Sequence, residues 1–340
     1  MNGYERVAAA LAGRQPDSTP VMLHNFMMAA REAGLTMRQY RSDPEQTARA
    51  HFEAVERYGY DGILLDIDTA TLAGAAGVPV EFPEDEPALC RGVALHSLED
   101  VDRLEPVDVK KYWGIQVWLE AARLLKRHFG NEVHIRGNCD QAPFSLACML
   151  RGMQEFMMDI TDRDSRGRVL KLLDHCTGIT CQFLSLMAQT GADMLSNGDS
   201  SGGASLISPR LYRELPHPYQ KRIAEHAHSL GLPWGLHVCG KTNTILEDLA
   251  DTGADALELD FKTDAALARE ALGNRVTFIG NIDPSGVLAL GTPALVEATT
   301  RALLNTFAGT PRFILNAGCA IPADTPPGNL KAMIRAARSR

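Results

Sequence analysis

An eightfold alternation of short apolar runs with longer segments of helical periodicity constrains this chain more than any other feature. The runs are rich in Val, Ile and Leu, and they lie at residues 20–25, 62–68, 133–138, 193–199, 234–240, 256–260, 278–283 and 313–319. A strand followed by a helix, repeated eight times without a flexible linker, predicts an α/β fold of the (β/α)8 TIM-barrel type. We therefore expect a single barrel domain over residues 1–340.

Two stretches interrupt the regular spacing and predict insertions after strands 2 and 3. Residues 69–108 are acidic and rich in proline, and we expect them to lie over the barrel mouth; the second insertion covers residues 138–162. A doubly wound open sheet is the competing fold. It requires a glycine-rich phosphate turn after its first strand, and the segment LHNFMMAAREAG has none.

Charge and composition exclude several classes of partner. The chain has 42 acidic and 34 basic side chains, so its formal net charge of −8 argues against nucleic acid. No segment approaches the ~20 apolar residues of a membrane helix, and the apolar run near residue 10 is too short for a signal peptide. Seven scattered cysteines in so long a chain predict free thiols in the reducing cytoplasm.

Polar side chains stand at the exit of every predicted strand. Because barrel enzymes build their active sites at the C-terminal ends of the strands, these side chains are candidates for a pocket. The predicted substrate-binding residues are His24, Asn25, Asp66, Asp68, Asp199, Asp260, Asn281 and Asp283. The alternative is that they only begin loops or cap turns, because loops are polar in any fold.

A histidine and two cysteines form the strongest candidate for chemistry. His237 and Cys239 lie two positions apart on a predicted strand, so their side chains face the same side, and Cys319 stands at the end of the eighth run. Two thiolates and an imidazole select zinc, and three protein ligands leave a fourth position open for catalysis. The alternative is that all three are ordinary core residues.

Three segments of the C-terminal half resemble the uroporphyrinogen decarboxylase superfamily, and in particular its corrinoid-dependent methyltransferases. They read HVCGKTNTILEDLADTGADALELD, GNIDPSGVLALGTP and FILNAGCAIPADTPPGNLKAMIRAA. In that branch a His-x-Cys pair after strand 5 and a Cys after strand 8 bind zinc. The resemblance therefore implies that His237, Cys239 and Cys319 are catalytic zinc ligands.

Two departures separate the chain from the decarboxylases of that superfamily. Those enzymes carry a histidine in an N-L-G-H-G turn after strand 8, where residues 316–320 here read NAGCA. They also hold substrate carboxylates with an N-terminal arginine-rich motif, whereas Arg31 here falls in a predicted helix. A metal-free decarboxylase is thus the lesser alternative.

The resemblance implies a zinc-dependent methyltransferase that moves a methyl group between a methylcorrinoid and a zinc-activated thiol, or another small donor or acceptor. None of the ten histidines follows an aspartate by two positions, as the corrinoid-binding Asp-x-His motif requires, so a separate carrier protein must supply the corrinoid. A homodimer is expected by analogy only. A barrel that has lost catalysis and only binds a corrinoid protein is the remaining alternative.

Overall fold

The computed structural model describes residues 1–339 and contains a parallel sheet of eight strands. The strands are β1 (Met22–Leu23), β2 (Gly62–Leu65), β3 (His134–Gln141), β4 (Met194–Gly198), β5 (Trp234–Val238), β6 (Ala256–Leu259), β7 (Thr277–Ile282) and β8 (Phe313–Ala317). Each strand pairs with the next, and a parallel bridge between Val21 and Leu315 joins the last strand to the first. The predicted (β/α)8 barrel is confirmed.

Helices surround the barrel. They are α1 (Gly3–Leu11), α2 (Phe26–Glu32), α3 (Met37–Ser42), α4 (Pro44–Tyr58), α5 (Thr71–Ala75), α6 (Trp113–Phe129), α7 (Pro143–Arg151), α8 (Met153–Asp159), α9 (Arg166–Ala188), α10 (Pro209–Glu214), α11 (Pro216–Ser229), α12 (Leu246–Ala250), α13 (Ala265–Leu272), α14 (Pro293–Thr306) and α15 (Pro327–Arg338). Short 3-10 segments cover Leu98–Arg103, Val109–Lys111, Ser200–Gly202 and Asn243–Ile245, and a π-helical turn covers Pro284–Ala289. Within residues 1–339, no helix has the length and apolar character needed to span a membrane.

Local sequence signals set the ends of these helices. In α4 the Asp43 side chain accepts a hydrogen bond from the Glu45 amide, and Pro44 occupies the first turn, where its missing amide proton costs nothing. The same helix ends at Gly59, whose φ of 65° suits a residue without a side chain.

The bottom of the barrel is closed by α1. Val7 and Ala10 of this helix form a small buried cluster with inward side chains from the strands, namely Met22, Met194, Ala256, Ile279 and Ile314. All members of this cluster are apolar, and beside it Thr277 donates to the carbonyl oxygen of Ala10 in α1.

Both predicted insertions are present. After β2, residues 69–108 form α5, a two-stranded hairpin (Val80–Glu81 with Leu89–Cys90) and a 3-10 segment, and Pro87 of this insertion lines a cavity at the mouth. After β3, the helices α7 and α8 extend the loop. The insertions therefore add walls to the end of the barrel where the strands finish.

Candidate functional site

The structure brings the histidine and the two cysteines together. His237 lies on β5, Cys239 directly follows that strand, and Cys319 follows β8 by two residues. The Nε2 atom of His237 lies 3.1 Å from the Sγ atom of Cys239 and 3.9 Å from that of Cys319, and the two sulfurs are 4.0 Å apart. The three groups therefore form one triangle, called here the His-Cys-Cys triad.

The size of this triangle fits a tetrahedral zinc ion. With Zn–S bonds of about 2.3 Å and a Zn–N bond of about 2.0 Å, tetrahedral angles require a sulfur–sulfur edge of roughly 3.8 Å and nitrogen–sulfur edges of roughly 3.5 Å. The two nitrogen–sulfur distances lie on either side of the required value and the sulfur–sulfur distance slightly exceeds its own, so an ion needs only sub-ångström side-chain adjustments. The donor set of one imidazole and two thiols is also the set that zinc prefers.

Glycines shape the turns beside both cysteines. Gly240 has φ +81°, and a Cβ atom there would lie 2.3 Å from the Ser205 hydroxyl; at Gly318 it would lie 2.4 Å from the Phe261 amide nitrogen. No L side chain fits either position without displacing its neighbours. The two loops can therefore approach closely enough to bring the sulfurs together.

The triad favours a thiolate at Cys239. The hydrogen bond from Cys319 lowers the pKa of Cys239 most; burial opposes this, the charge of His237 adds to it, and the net shift is strongly downward. The hydrogen bond to Cys239 and burial raise the pKa of Cys319. Ser200 also donates to the Cys239 sulfur at 3.1 Å. A cation bound here would drive the second cysteine to ionise as well.

A buried glutamate lies between two histidines beneath the triad. The Oε1 atom of Glu258, on β6, is 3.5 Å from Nδ1 of His24 and 3.6 Å from Nδ1 of His237. Its other oxygen forms an ion pair with Arg136 of β3. Burial raises the pKa of Glu258, but Arg136 and both histidines outweigh it, so the carboxyl is ionised. The Glu258 carboxylate thus attracts the Nδ1 side of the His237 ring by its charge, at a distance slightly longer than a hydrogen bond, while Nε2 faces the sulfurs.

Arg136 and Glu258 are not among the site residues predicted from the sequence. The signal was present, because each is a charged residue inside an otherwise apolar strand run, VHIRGN and ALELD. Two opposite charges at inward positions of a barrel indicate a buried ion pair.

A cavity of about 250 Å³ opens above the triad. Of the eight predicted substrate-binding residues, His24, Asp66 and Asp68 line it. His24 donates from Nε2 to an Asp66 oxygen at 2.8 Å. Burial lowers the pKa of His24, but the effect of Asp66 and Glu258 is larger and raises the pKa to about 9. This imidazole is therefore protonated at neutral pH.

The other five predicted substrate-binding residues do not line the cavity. Asn25 is buried at the start of α2. Asp199 is also buried, and it accepts hydrogen bonds from Ser145 and Gln220. Three more residues organise turns: Asp260 accepts from the amide of Gly240, Asn281 donates to the carbonyls of Asp260 and Thr263, and Asp283 caps the turn at Pro284–Ala289. Asp260 still serves the triad, because it fixes the turn after Cys239.

The end of β3 contributes three polar side chains to the cavity that are not among the predicted site residues. Asn138, Asp140 and Gln141 line the cavity. Asp140 has φ 57° and is the only residue other than glycine with positive φ among those described. Aspartate tolerates this region better than most side chains, so position 140 tolerates few substitutions.

Comparisons with known proteins bear on this site. Residues 2–340 match the family described as Uroporphyrinogen decarboxylase (URO-D). The methylcobamide:CoM methyltransferase MtbA of Methanosarcina mazei is 27% identical, and the match covers 98% of this chain and 97% of that protein. Uroporphyrinogen decarboxylase of Chlorobium phaeovibrioides is 30% identical, and the match covers 94% of this chain and 93% of that protein.

A solved structure has the same fold. The methyltransferase from Methanosarcina mazei superposes with a TM-score of 0.91 at 24% identity, over 99% of this chain and 98% of that one. The relatives thus include two activities, and the residues of the site must discriminate between them.

Proposed function

Because this chain belongs to the uroporphyrinogen decarboxylase family, whose members here include both decarboxylases and methyltransferases, we propose from its site that it is a zinc-dependent methyltransferase. It moves a methyl group between a methylcorrinoid on a separate carrier protein and a small thiol. The relatives named methylcobamide:CoM methyltransferases support methyl transfer. The observation that carries the proposal is the triangle of His237, Cys239 and Cys319, with edges of 3.1, 3.9 and 4.0 Å.

His237, Cys239 and Cys319 would hold the zinc ion. When bound, zinc supplies an open coordination position at which a thiol loses its proton and stays nucleophilic, because two cysteinates cancel the charge of the ion. Methyl transfer forms the carbon–sulfur bond of the methylated thiol, breaks the cobalt–carbon bond and leaves the electron pair on cobalt.

The remaining residues of the site position these groups and exclude water. The charge of Glu258 faces Nδ1 of His237 at 3.6 Å, and Ser200 donates to the Cys239 sulfur. Phe26, Met27 and Leu64 form an apolar wall of the cavity. Such a wall suits a methyl group, which gains from leaving water but offers no hydrogen bond.

The mouth of the barrel offers a surface for the carrier protein. Leu206, Phe261 and Leu290 lie on the loops after β4, β6 and β7, and their exposed fractions are 57, 39 and 83%. All three loops stand at the end of the barrel where the strands finish and the cavity opens, so we assign the docking surface of the carrier protein to this end. The thiolate ligands also require a reducing compartment, which is the basis for proposing a cytoplasmic enzyme.

Decarboxylation of a porphyrinogen is the second candidate, since a curated decarboxylase is 30% identical. The cavity argues against it. Asp66, Asp68 and Asp140 line the cavity, and its cations are already paired: Arg136 with Glu258 and His24 with Asp66. His237 lies against the Cys239 sulfur. A substrate with many carboxylates would meet like charge there.

The test is spectroscopic. We expect the protein to convert methylcobalamin to cob(I)alamin in the presence of a thiol under anaerobic conditions, and to lose this activity after zinc is removed by a chelator. Activity that survives complete chelation, or turnover of uroporphyrinogen without methyl transfer, would refute the proposal.

A further inference from the structure

Two carboxylates on the β2 and β3 side of the cavity each keep one oxygen without a protein partner. Asp68 follows β2, and all of its hydrogen bonds go to Oδ1, which accepts from the amides of Ala70 and Thr71 and from the Thr71 hydroxyl. Asp140 uses Oδ2 to accept from the Leu72 amide at 2.7 Å, while its Oδ1 is buried without a partner.

These two carboxylates are held in place by the same helix end. The amides of residues 70–72 bind one oxygen of each side chain, which fixes both at the start of α5. Both residues are 2% exposed and line the cavity that contains the triad. The hydrogen bonds to the helix end therefore use one carboxylate oxygen of Asp68 and one of Asp140. The other oxygen of each residue has no structural role.

The nearby cations act on Asp68 but not on Asp140. Arg136 is bound to Glu258, and protonated His24 to Asp66. Arg41 donates to the carbonyl oxygens of Pro83 and Glu86, which leaves its charge in place, and this charge lowers the pKa of Asp68 against the larger, raising effect of burial. No cation acts on Asp140, so its carboxyl lacks a counterion at this end of the cavity.

We propose that Asp68 and Asp140 form a subsite for a protonated amine, so that the thiol substrate is an aminothiol. This inference rests on the proposed function, because it assigns the charge of the thiol that the triad would bind. It separates this chain from relatives named for coenzyme M, which carries a sulfonate.

The electrostatics of Asp140 agree with this assignment. Burial, followed by the charge of Asp68, raises the pKa of Asp140 well above its usual range. A carboxyl buried beside other carboxylates is stabilised as an anion when a cation arrives. A sulfonate or carboxylate in the same place would add a further negative charge.

The experiment measures thiol binding rather than turnover. Cobalt(II) replaces zinc in the full-length protein, and the sulfur-to-cobalt charge-transfer band is followed during titration with three thiols that share a two-carbon spacer. They are cysteamine, 2-mercaptoethanol and 2-mercaptoethanesulfonate. The observable is the ratio of the dissociation constant of the sulfonate thiol to that of cysteamine.

This ratio is compared among the wild type, Asp68→Asn, Asp140→Asn and the double variant. Differences in thiol acidity cancel, because the same two thiols are used throughout. Asparagine retains the oxygen that binds the α5 amides. Asp264→Asn is the matched control, because Asp264 caps α13 and is exposed, and asparagine caps equally well.

We expect the ratio to exceed tenfold in the wild type and to fall by about tenfold or more in the double variant, with Asp264→Asn unchanged. A ratio that changes by less than about twofold overturns the subsite while leaving the proposed function intact. The two cysteinate ligands already produce such bands, so the signal of binding is their change; if no thiol changes them, the proposed function fails and this inference fails with it. If the double variant does not fold, the wild type alone tests the subsite. Its affinity for each thiol, corrected for the fraction of that thiol present as thiolate, must then fall in the order cysteamine, 2-mercaptoethanol, 2-mercaptoethanesulfonate.

Discussion

Replacing Glu258 by glutamine tests whether the buried ion pair beneath the triad orients the metal ligands. The Glu258 carboxylate faces the Nδ1 atoms of His24 and His237 at 3.5 and 3.6 Å and also binds Arg136. All four side chains are at most 11% exposed. Glutamine has nearly the same shape but removes the negative charge.

Two effects of different size follow from the Glu258→Gln substitution. The Arg136 charge becomes buried without a counterion, which costs about 3–5 kcal/mol of unfolding free energy. The His237 ring loses the carboxylate that orients it, which should weaken zinc binding roughly 10- to 100-fold. Urea denaturation measures the first effect, and competition with a chromogenic chelator measures the second.

A double substitution separates stability from metal positioning. In Arg136→Met with Glu258→Leu, apolar side chains replace the ion pair, and most of the lost stability should return. Zinc affinity should stay low, because neither histidine regains an acceptor. The reasoning is refuted if Glu258→Gln binds zinc as tightly as the wild type, or if the double variant recovers stability and metal affinity together.

Three further predictions concern other parts of the site. The pKa of His24 rises to about 9 in the folded metal-free protein, so the protonated ring should add about 3 kcal/mol to the unfolding free energy below pH 6.5. The difference in unfolding free energy between the wild type and His24→Gln should therefore fall toward zero as the pH rises from 6.5 to 9. A difference that does not depend on pH would contradict this. In urea denaturation, Gly240→Ala should lower the unfolding free energy by about 1–3 kcal/mol more than Gly231→Ala does. Both glycines have positive φ, but only at position 240 would the new Cβ atom meet a neighbouring side chain. Equal losses would contradict the need for glycine in the turn after Cys239. Leu290→Glu should raise the KM for a methylated carrier protein about tenfold and leave the KM for free methylcobalamin unchanged. If both KM values change by the same factor, the carrier protein does not dock at Leu290.

The barrel was predictable because each apolar run must be buried on both faces, and only a parallel sheet covered by helices allows this. The triad was predictable as a candidate for a related reason: residue 239 directly follows the strand that carries residue 237, and closure of the barrel brings the end of β8 to the same mouth. The family resemblance identified from these segments is confirmed. The spacing alone could not decide between ligands and core residues.

The strand-end residues show where sequence reasoning stops. Asp68 binds the amides of a helix end and also lines the cavity, while Asp260 and Asp283 bind amides in turns outside it. A carboxylate that satisfies free amides looks the same in the sequence whether or not it faces the cavity. Only the three-dimensional course of the loops separates the two cases.

Metal analysis tests the central claim most directly. Protein purified without added metal and with active methyl transfer should contain about one zinc per chain, and Cys319→Ala should lose both the zinc and the activity. The control is Cys90→Ala, because Cys90 is a free exposed thiol on the hairpin outside the triad. Active wild-type protein that contains no metal, or a Cys319→Ala variant that retains zinc and activity, would contradict the account.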